Sequence, residues 1–307
     1  MQTPVTFLIF NRPSTTARVF EEIRRARPPK LMVVADGPRP DRPGEAEQVV
    51  AARAIVDQVD WPCEVLKNYS DTNLGCKRRI SSGLDWVFSC VEESIILEDD
   101  CLPQISFFDY CQQLLERYRE DTRIMMISGR NHLLNYDIPE SYFFSKHFSV
   151  WGWASWRRAW NHNKVAPVNW NYFKSRFPKY TFYSDKILNK YYYRIFDSVM
   201  KGDIDTWDYQ WLLSCLLNSG LSIVPKVNLI KNIGFSGTHT GRQNRNDPNL
   251  DNPTFPLDTD LLIHPFWVMP DDLYDSFVNH RIIGNSFKYS IKEMITSLRN
   301  YFIPLTT

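Results

Sequence analysis

Apolar positions in the first third of the chain fall into short unbroken runs, separated by stretches of helical spacing. Residues 4–10, 31–35, 63–66, 94–97 and 124–128 read as five buried strands. Between them the spacing predicts helices from Ser14, acting as cap, to about Arg25, then over residues 45–59, and from the Asn73-Leu74-Gly75 turn to about Cys90. A further helix starts at Pro103, which suits a first helical turn, and runs to about Glu120. Strands that alternate with helices in this way imply an α/β fold: a Rossmann-like, mostly parallel central sheet with helices on both faces.

The texture changes after Asn131. Residues 142–211 hold seven of the ten tryptophans, a density that suits either a core or surfaces that stack on sugar rings. A helix over 206–218 closes on Gly220, which suits a left-handed cap. Residues 222–224 form a short strand, and the Gly-, Asn- and Thr-rich stretch 232–252 reads as a mobile loop. In the tail, residues 285–303 carry apolar positions at helical spacing, with Lys288, Lys292 and Arg299 on other faces. The expected organisation is one domain over 1–264 and a C-terminal helical extension over 265–307. That tail either lies on a membrane surface, as a peripheral contact, or packs on the main body.

Charge narrows the partners. With 36 basic and 35 acidic residues the chain lacks the footprint of a nucleic-acid binder. No apolar run approaches the roughly 18 residues of a membrane span, and the first run is too short and lacks the basic flank of a signal peptide. Six cysteines without close pairs read as reduced thiols. These features point to a cytoplasmic protein, at most peripheral at the inner face of a membrane.

In open α/β sheets, ligands bind beyond the carboxyl ends of the strands. Three such ends carry polar residues here: Asn11-Arg12, Asp36-Gly37 and Glu98-Asp99-Asp100. Carboxylates at the end of a buried strand repel one another unless a cation or hydrogen-bond donors neutralise them. Hard cations such as Mn²⁺ or Mg²⁺ take oxygen ligands and share them with substrate phosphates. The alternative is a solvated acidic turn. Neither a Gly-x-Gly-x-x-Gly nor a Walker pattern occurs. The Gly-rich loop that sugar-1-phosphate nucleotidyltransferases place after their first strand is replaced by Asn11-Arg12-Pro13.

The ordered series Phe-Asn-Arg-Pro (10–13), Ala-Asp-Gly (35–37), Asn-Leu-Gly-Cys (73–76), Leu-Glu-Asp-Asp (97–100), Phe-Phe (107–108), Trp-Gly-Trp-Ala-Ser-Trp (151–156) and Trp-Asp (207–208) resembles bacterial GT-A glycosyltransferases. It is most similar to the inverting, metal-dependent N-acetylglucosaminyltransferase I group, over roughly residues 4–245. The resemblance implies a UDP-sugar donor and a glycan or glycolipid acceptor. By it, Arg12 and Asp36 hold the uracil end. Asn73 and Arg79 flank the ribose and diphosphate, although the family carries histidine at the position of Arg79. Glu98 touches the donor sugar, Asp99 faces the nucleotide, Asp100 is the metal ligand and Asp208 is the catalytic base. The segment containing Trp153 borders the donor sugar and acceptor, and Trp207 adds an aromatic surface beside Asp208.

Simpler readings stand beside these. Asp208 in a first helical turn is also what a helix N-terminus favours. The tryptophan run also suits a core. Gly152 between two tryptophans implies close backbone approach to some other group. His239, flanked by glycines, is either a metal or diphosphate ligand or an inert loop residue. At the level of function, a retaining glycosyltransferase would need no base at Asp208, and a non-catalytic carbohydrate-binding protein would be indifferent to UDP and metal.

Overall fold

The computed structural model describes residues 1–134, 136–164, 166–234 and 252–283. Four parallel strands build one half of an eight-stranded sheet: β1 (Val5–Ile9), β2 (Lys30–Ala35), β3 (Glu64–Tyr69) and β4 (Glu93–Glu98), side by side in the order β3-β2-β1-β4. Helices α1 (Pro13–Ala26), α2 (Glu45–Val56) and α3 (Cys76–Cys90) make the crossovers. The chain continues through β5 (Cys101–Pro103), α4 (Ser106–Arg117), β6 (Ile124–Ser128), β7 (Tyr142–Ser145), β8 (Trp153–Trp156), α5 (Arg157–Trp160), α6 (Ala166–Arg176), α7 (Lys186–Lys201), α8 (Asp208–Leu217), β9 (Leu221–Pro225), β10 (Ile230–Asn232) and α9 (Asp272–Ile283). Strand β8 lies antiparallel between β4 and β6, β9 is parallel to β6, and β7 closes the sheet antiparallel to β9. The predicted α/β architecture, a large mostly parallel sheet flanked by helices, is the one observed.

Because successive strand residues point to opposite faces, the unbroken apolar runs feed two cores. Val5, Phe7, Ile9, Leu31, Val33, Ile95 and Leu97 pack with Val19, Phe20 and Ile23 of α1 and with Phe107 and Leu114 of α4. Leu8, Met32, Val34 and Ile96 face α3 and a cluster of tryptophans. In that cluster Trp153 lies 5.9 Å from both Trp207 and Trp211, and Trp160 lies 5.3 Å from Trp211. The aromatic-rich middle of the chain is therefore mostly core.

Several local expectations are corrected. Helix α1 begins at Pro13, whose fixed φ suits a first turn, so Ser14 lies inside it and is not the cap. Pro103 is in a two-stranded ribbon opposite Ile230, and α4 starts only at Ser106. The left-handed residue after α8 is Ser219 (φ 53°), not Gly220, which is packed against Met125. Gly152 does adopt positive φ (64°), and the group it approaches is the Ile230 side chain of its own fold, not a ligand. Strands β7 and β8 were not anticipated. His239, most of the 232–252 loop and the 285–303 helix lie outside the described residues. Among the described residues, no helix is long and apolar enough to cross a membrane.

Gly83 marks a close contact between α3 and the sheet, since a Cβ there would collide with the side chain of Val34. In an open helix Gly83→Ala would gain about 1 kcal/mol of propensity. Overpacking at this buried site opposes that gain with about 1–3 kcal/mol. Urea unfolding should therefore show net destabilisation. A variant as stable as the wild type would mean that the helix yields without cost.

Candidate active site at the carboxyl edge of the sheet

The register pairs Ile9 with Ala35 and Leu8 with Glu98, so β1, β2 and β4 end at one edge. Arg12, Asp36 and the Glu98-Asp99-Asp100 run leave the sheet there together. Arg12 bridges two acids: its Nη2 lies 2.7 Å from Asp99 Oδ1, and its Nη1 donates to Asp100 Oδ2 at 2.7 Å. Asp99 also accepts the Phe10 N–H at 3.1 Å. Burial nevertheless pushes the Asp99 carboxyl up to about 6, because desolvation outweighs the pull of Arg12. Glu98 has no hydrogen-bond or ion-pair partner among the described residues. Its carboxyl is raised well above the usual range by desolvation, then by Asp100 and Asp99. One guanidinium therefore serves three carboxylates.

Asp36 braces the neighbouring turn. Its Oδ1 accepts the N–H groups of Gly37 (3.0 Å) and Leu74 (2.9 Å), and its Oδ2 accepts that of Gly75 (3.0 Å). A carboxylate has about four lone-pair sites, so one remains for a ligand donor. Gly37 is required because a Cβ would strike the backbone of residues 71 and 72. Asn73 donates to the Gly37 carbonyl at 2.8 Å. Arg79 spends its Nε on the Ala35 carbonyl and its Nη2 on the carbonyl and side chain of Asn68. Only its Nη1 has no partner among the described residues.

Arg12, Asp36, Asn73, Arg79, Glu98 and Asp99 line one cleft of about 690 Å³, joined by Phe10, Arg39 and Cys76. Arg39, held by Glu45, lies 5.7 Å from the Phe10 ring centroid. A second hollow of about 830 Å³ contains Asp208 together with Arg130, His132, His147, Trp151, Tyr192 and Tyr209. Burial raises the Cys76 thiol, and the charges of Glu98 from the first hollow and Asp208 from the second add to the rise.

Asp208 opens α8, with Trp207 at the cap position. Thr206 Oγ1 and the Tyr209 N–H both donate to Asp208 Oδ1, which leaves Oδ2 without a partner among the described residues. Trp153 and Trp207, expected to border a ligand, are 0% and 3% exposed and stack on each other inside the core. Neither lines the cleft or the second hollow. Missed in the sequence were Phe10, Arg39 and Cys76 in the cleft and the His132–His147 pair, whose Nε2 atoms lie 3.1 Å apart. The two histidines come from separate irregular segments, so no local pattern announces them.

No three Asp, Glu, His or Cys side chains converge as a ready metal cage among the described residues. Asp100 is the accessible acid of the pair on Arg12, at 13% side-chain exposure against 3% for Asp99. One oxygen-donor side chain backed by excess negative charge fits a hard cation that takes its remaining ligands from substrate phosphates. It does not fit an all-protein cage.

No family model matches the chain, and no curated protein matches it. Among solved structures it is similar to a UDP-glucose pyrophosphorylase complexed with UDP-glucose (10% identity, 48% of this chain, TM-score 0.29). That match spans 64% of the pyrophosphorylase, under two thirds of its length. It is also similar to 4-diphosphocytidyl-2C-methyl-D-erythritol synthase from Anaerococcus prevotii (9% identity, 72% of this chain and 87% of that one, TM-score 0.35). Likeness at this level carries no argument about function.

Proposed function

We propose that the chain is a glycosyltransferase that moves a sugar from a UDP-sugar to a hydroxyl of a glycan or glycolipid, with inversion at the anomeric carbon. The observation that carries the reading is a pair of polar hollows, with the Asp208 charge of one felt at Glu98 and Cys76 of the other. One is lined by Arg12, Asp36, Asn73, Arg79 and Glu98, and the other contains a carboxylate with an unengaged oxygen, Asp208. A donor cleft beside an acceptor pocket is the layout that transfer between two bound substrates needs. Residues 1–264 would form the transferase unit. The extension over 265–307 would bring the basic tail to a membrane that carries a lipid-linked acceptor.

In this reading Asp36 uses its remaining lone pair on a base N–H, while Phe10 and Arg39 wall the ring. Arg79 Nη1 faces the diphosphate. Glu98 accepts from donor-sugar hydroxyls, which compensate a carboxylate that the protein leaves unpaired. Asp208 Oδ2 takes the acceptor proton as the hydroxyl attacks, with Oδ1 fixed by Thr206 and Tyr209. A divalent ion such as Mn²⁺ or Mg²⁺ held by Asp100 would supply positive charge for the departing diphosphate.

Asp208→Asn should lower turnover roughly 10²–10⁴-fold, the usual contribution of a positioned base. Melting temperature and UDP affinity should hold, since Asn preserves the helix start. Turnover within a few-fold of wild type would remove Asp208 as base and favour a retaining enzyme. A thermal-shift panel of UDP, GDP and ADP, with and without Mn²⁺, tests the donor. UDP with Mn²⁺ should protect best. Better protection by GDP or ADP would overturn the donor assignment.

Glu98 yields a pH test. Its raised pKa means that the folded state favours the protonated form, so stability falls as pH rises through that pKa. Glu98→Gln should therefore melt higher than wild type at pH 8, and the difference should vanish towards pH 5. A difference independent of pH would show that the charge on Glu98 is not the source of the strain.

A further inference from the structure

One carboxylate oxygen of Asp100, the proposed metal ligand, is already paired with a cation. Asp100 Oδ2 lies 2.7 Å from Arg12 Nη1, and the same guanidinium reaches Asp99 at 2.7 Å. The base of the Arg12 side chain is anchored. Its carbonyl accepts the Thr16 N–H at 2.9 Å and the Thr16 hydroxyl at 2.8 Å, so only the side chain is able to move. Above the pair lies the backbone of Gly234, following the Ile233 N–H that donates to the Asp100 carbonyl at 2.8 Å. A Cβ on Gly234 would collide with both Asp100 Oδ2 and Arg12 Nη1. Backbone thus lies against one side of the bridge.

We propose that Arg12 is a built-in counter-cation that competes with the divalent metal for Asp100, so that metal and nucleotide diphosphate bind together rather than separately. The inference rests on reading the cleft as a nucleotide-diphosphate site. A divalent ion arriving alone meets a like charge already paired with the more exposed acid of the two. A diphosphate changes this balance, because it offers Arg12 other oxygens while supplying the ion with ligands. Arg12 then leaves Asp100 with a new anionic partner in reach, and its pairing with Asp99 holds the side chain in the cleft. Coupling of this kind is reciprocal: UDP strengthens Mn²⁺ binding by the same factor by which Mn²⁺ strengthens UDP binding.

The test is titration of Mn²⁺, followed by loss of the free-ion electron paramagnetic resonance signal, with and without UDP. In the wild type UDP should tighten Mn²⁺ binding by about tenfold or more. In Arg12→Gln, Mn²⁺ alone should bind about tenfold tighter than in the wild type, and the UDP effect should shrink to about threefold or less. Arg12→Lys keeps the charge but does not bridge two carboxylates, and should fall between. Circular dichroism verifies the fold of each variant. Arg12→Gln binding Mn²⁺ no tighter than wild type, or retaining the full UDP effect, would overturn the proposal. So would a wild type that binds Mn²⁺ equally well with and without UDP. A wild type that never binds UDP would instead sink the nucleotide reading, while the two proteins' Mn²⁺ affinities would still decide the competition at Asp100.

Discussion

Arg12 answers three carboxylates with one positive charge, and the character of the carboxyl edge follows from that imbalance. Burying acids without full compensation opposes folding, so the surrounding structure has to hold them. It does so through β4, whose register against β1 fixes Glu98 opposite Leu8, and through the Phe10 amide that reaches Asp99. In the proposed reading, the remaining deficit at Glu98 is what a ligand with donors or positive charge would relieve. Uncompensated buried charge of this kind marks a candidate binding site more than a source of stability.

The same edge is supported from beneath by aromatic packing. Trp153, Trp160, Trp207 and Trp211 fill the space between the sheet and α8, and Trp207 is the residue directly before Asp208. The position of the Asp208 carboxylate thus depends on a buried tryptophan, while the carboxylate itself opens onto the second hollow. Rigid apolar support under a polar group helps a site keep its geometry.

Strands β1, β2, β4 and β6 were legible because burial on both faces leaves continuous apolar runs. Strand β3 is only partly buried, and its bounds moved accordingly, from residues 63–66 to Glu64–Tyr69. Strands β7 and β8 were hidden: they pair antiparallel with distant strands, and their aromatic residues suggested ligand surfaces instead. At the site, the gathering of Arg12, Asp36 and Glu98 was readable from their positions at strand ends. The partners they choose were not. Arg12 and Asp100 are 88 residues apart, and the amides that occupy Asp36 come from a turn closed by Gly37. Residue type indicated the chemistry of the edge, but only packing shows which lone pairs and N–H groups remain to carry it out.

Hydrogen–deuterium exchange with and without UDP and Mn²⁺ tests the central claim most directly, because it locates the ligand without assuming any residue's role. The account predicts protection in peptides covering residues 10–12, 72–76 and 98–101, where the Phe10, Leu74 and Gly75 amides already meet the site carboxylates. UDP that binds while these peptides exchange at unchanged rates, with protection appearing elsewhere, would contradict it.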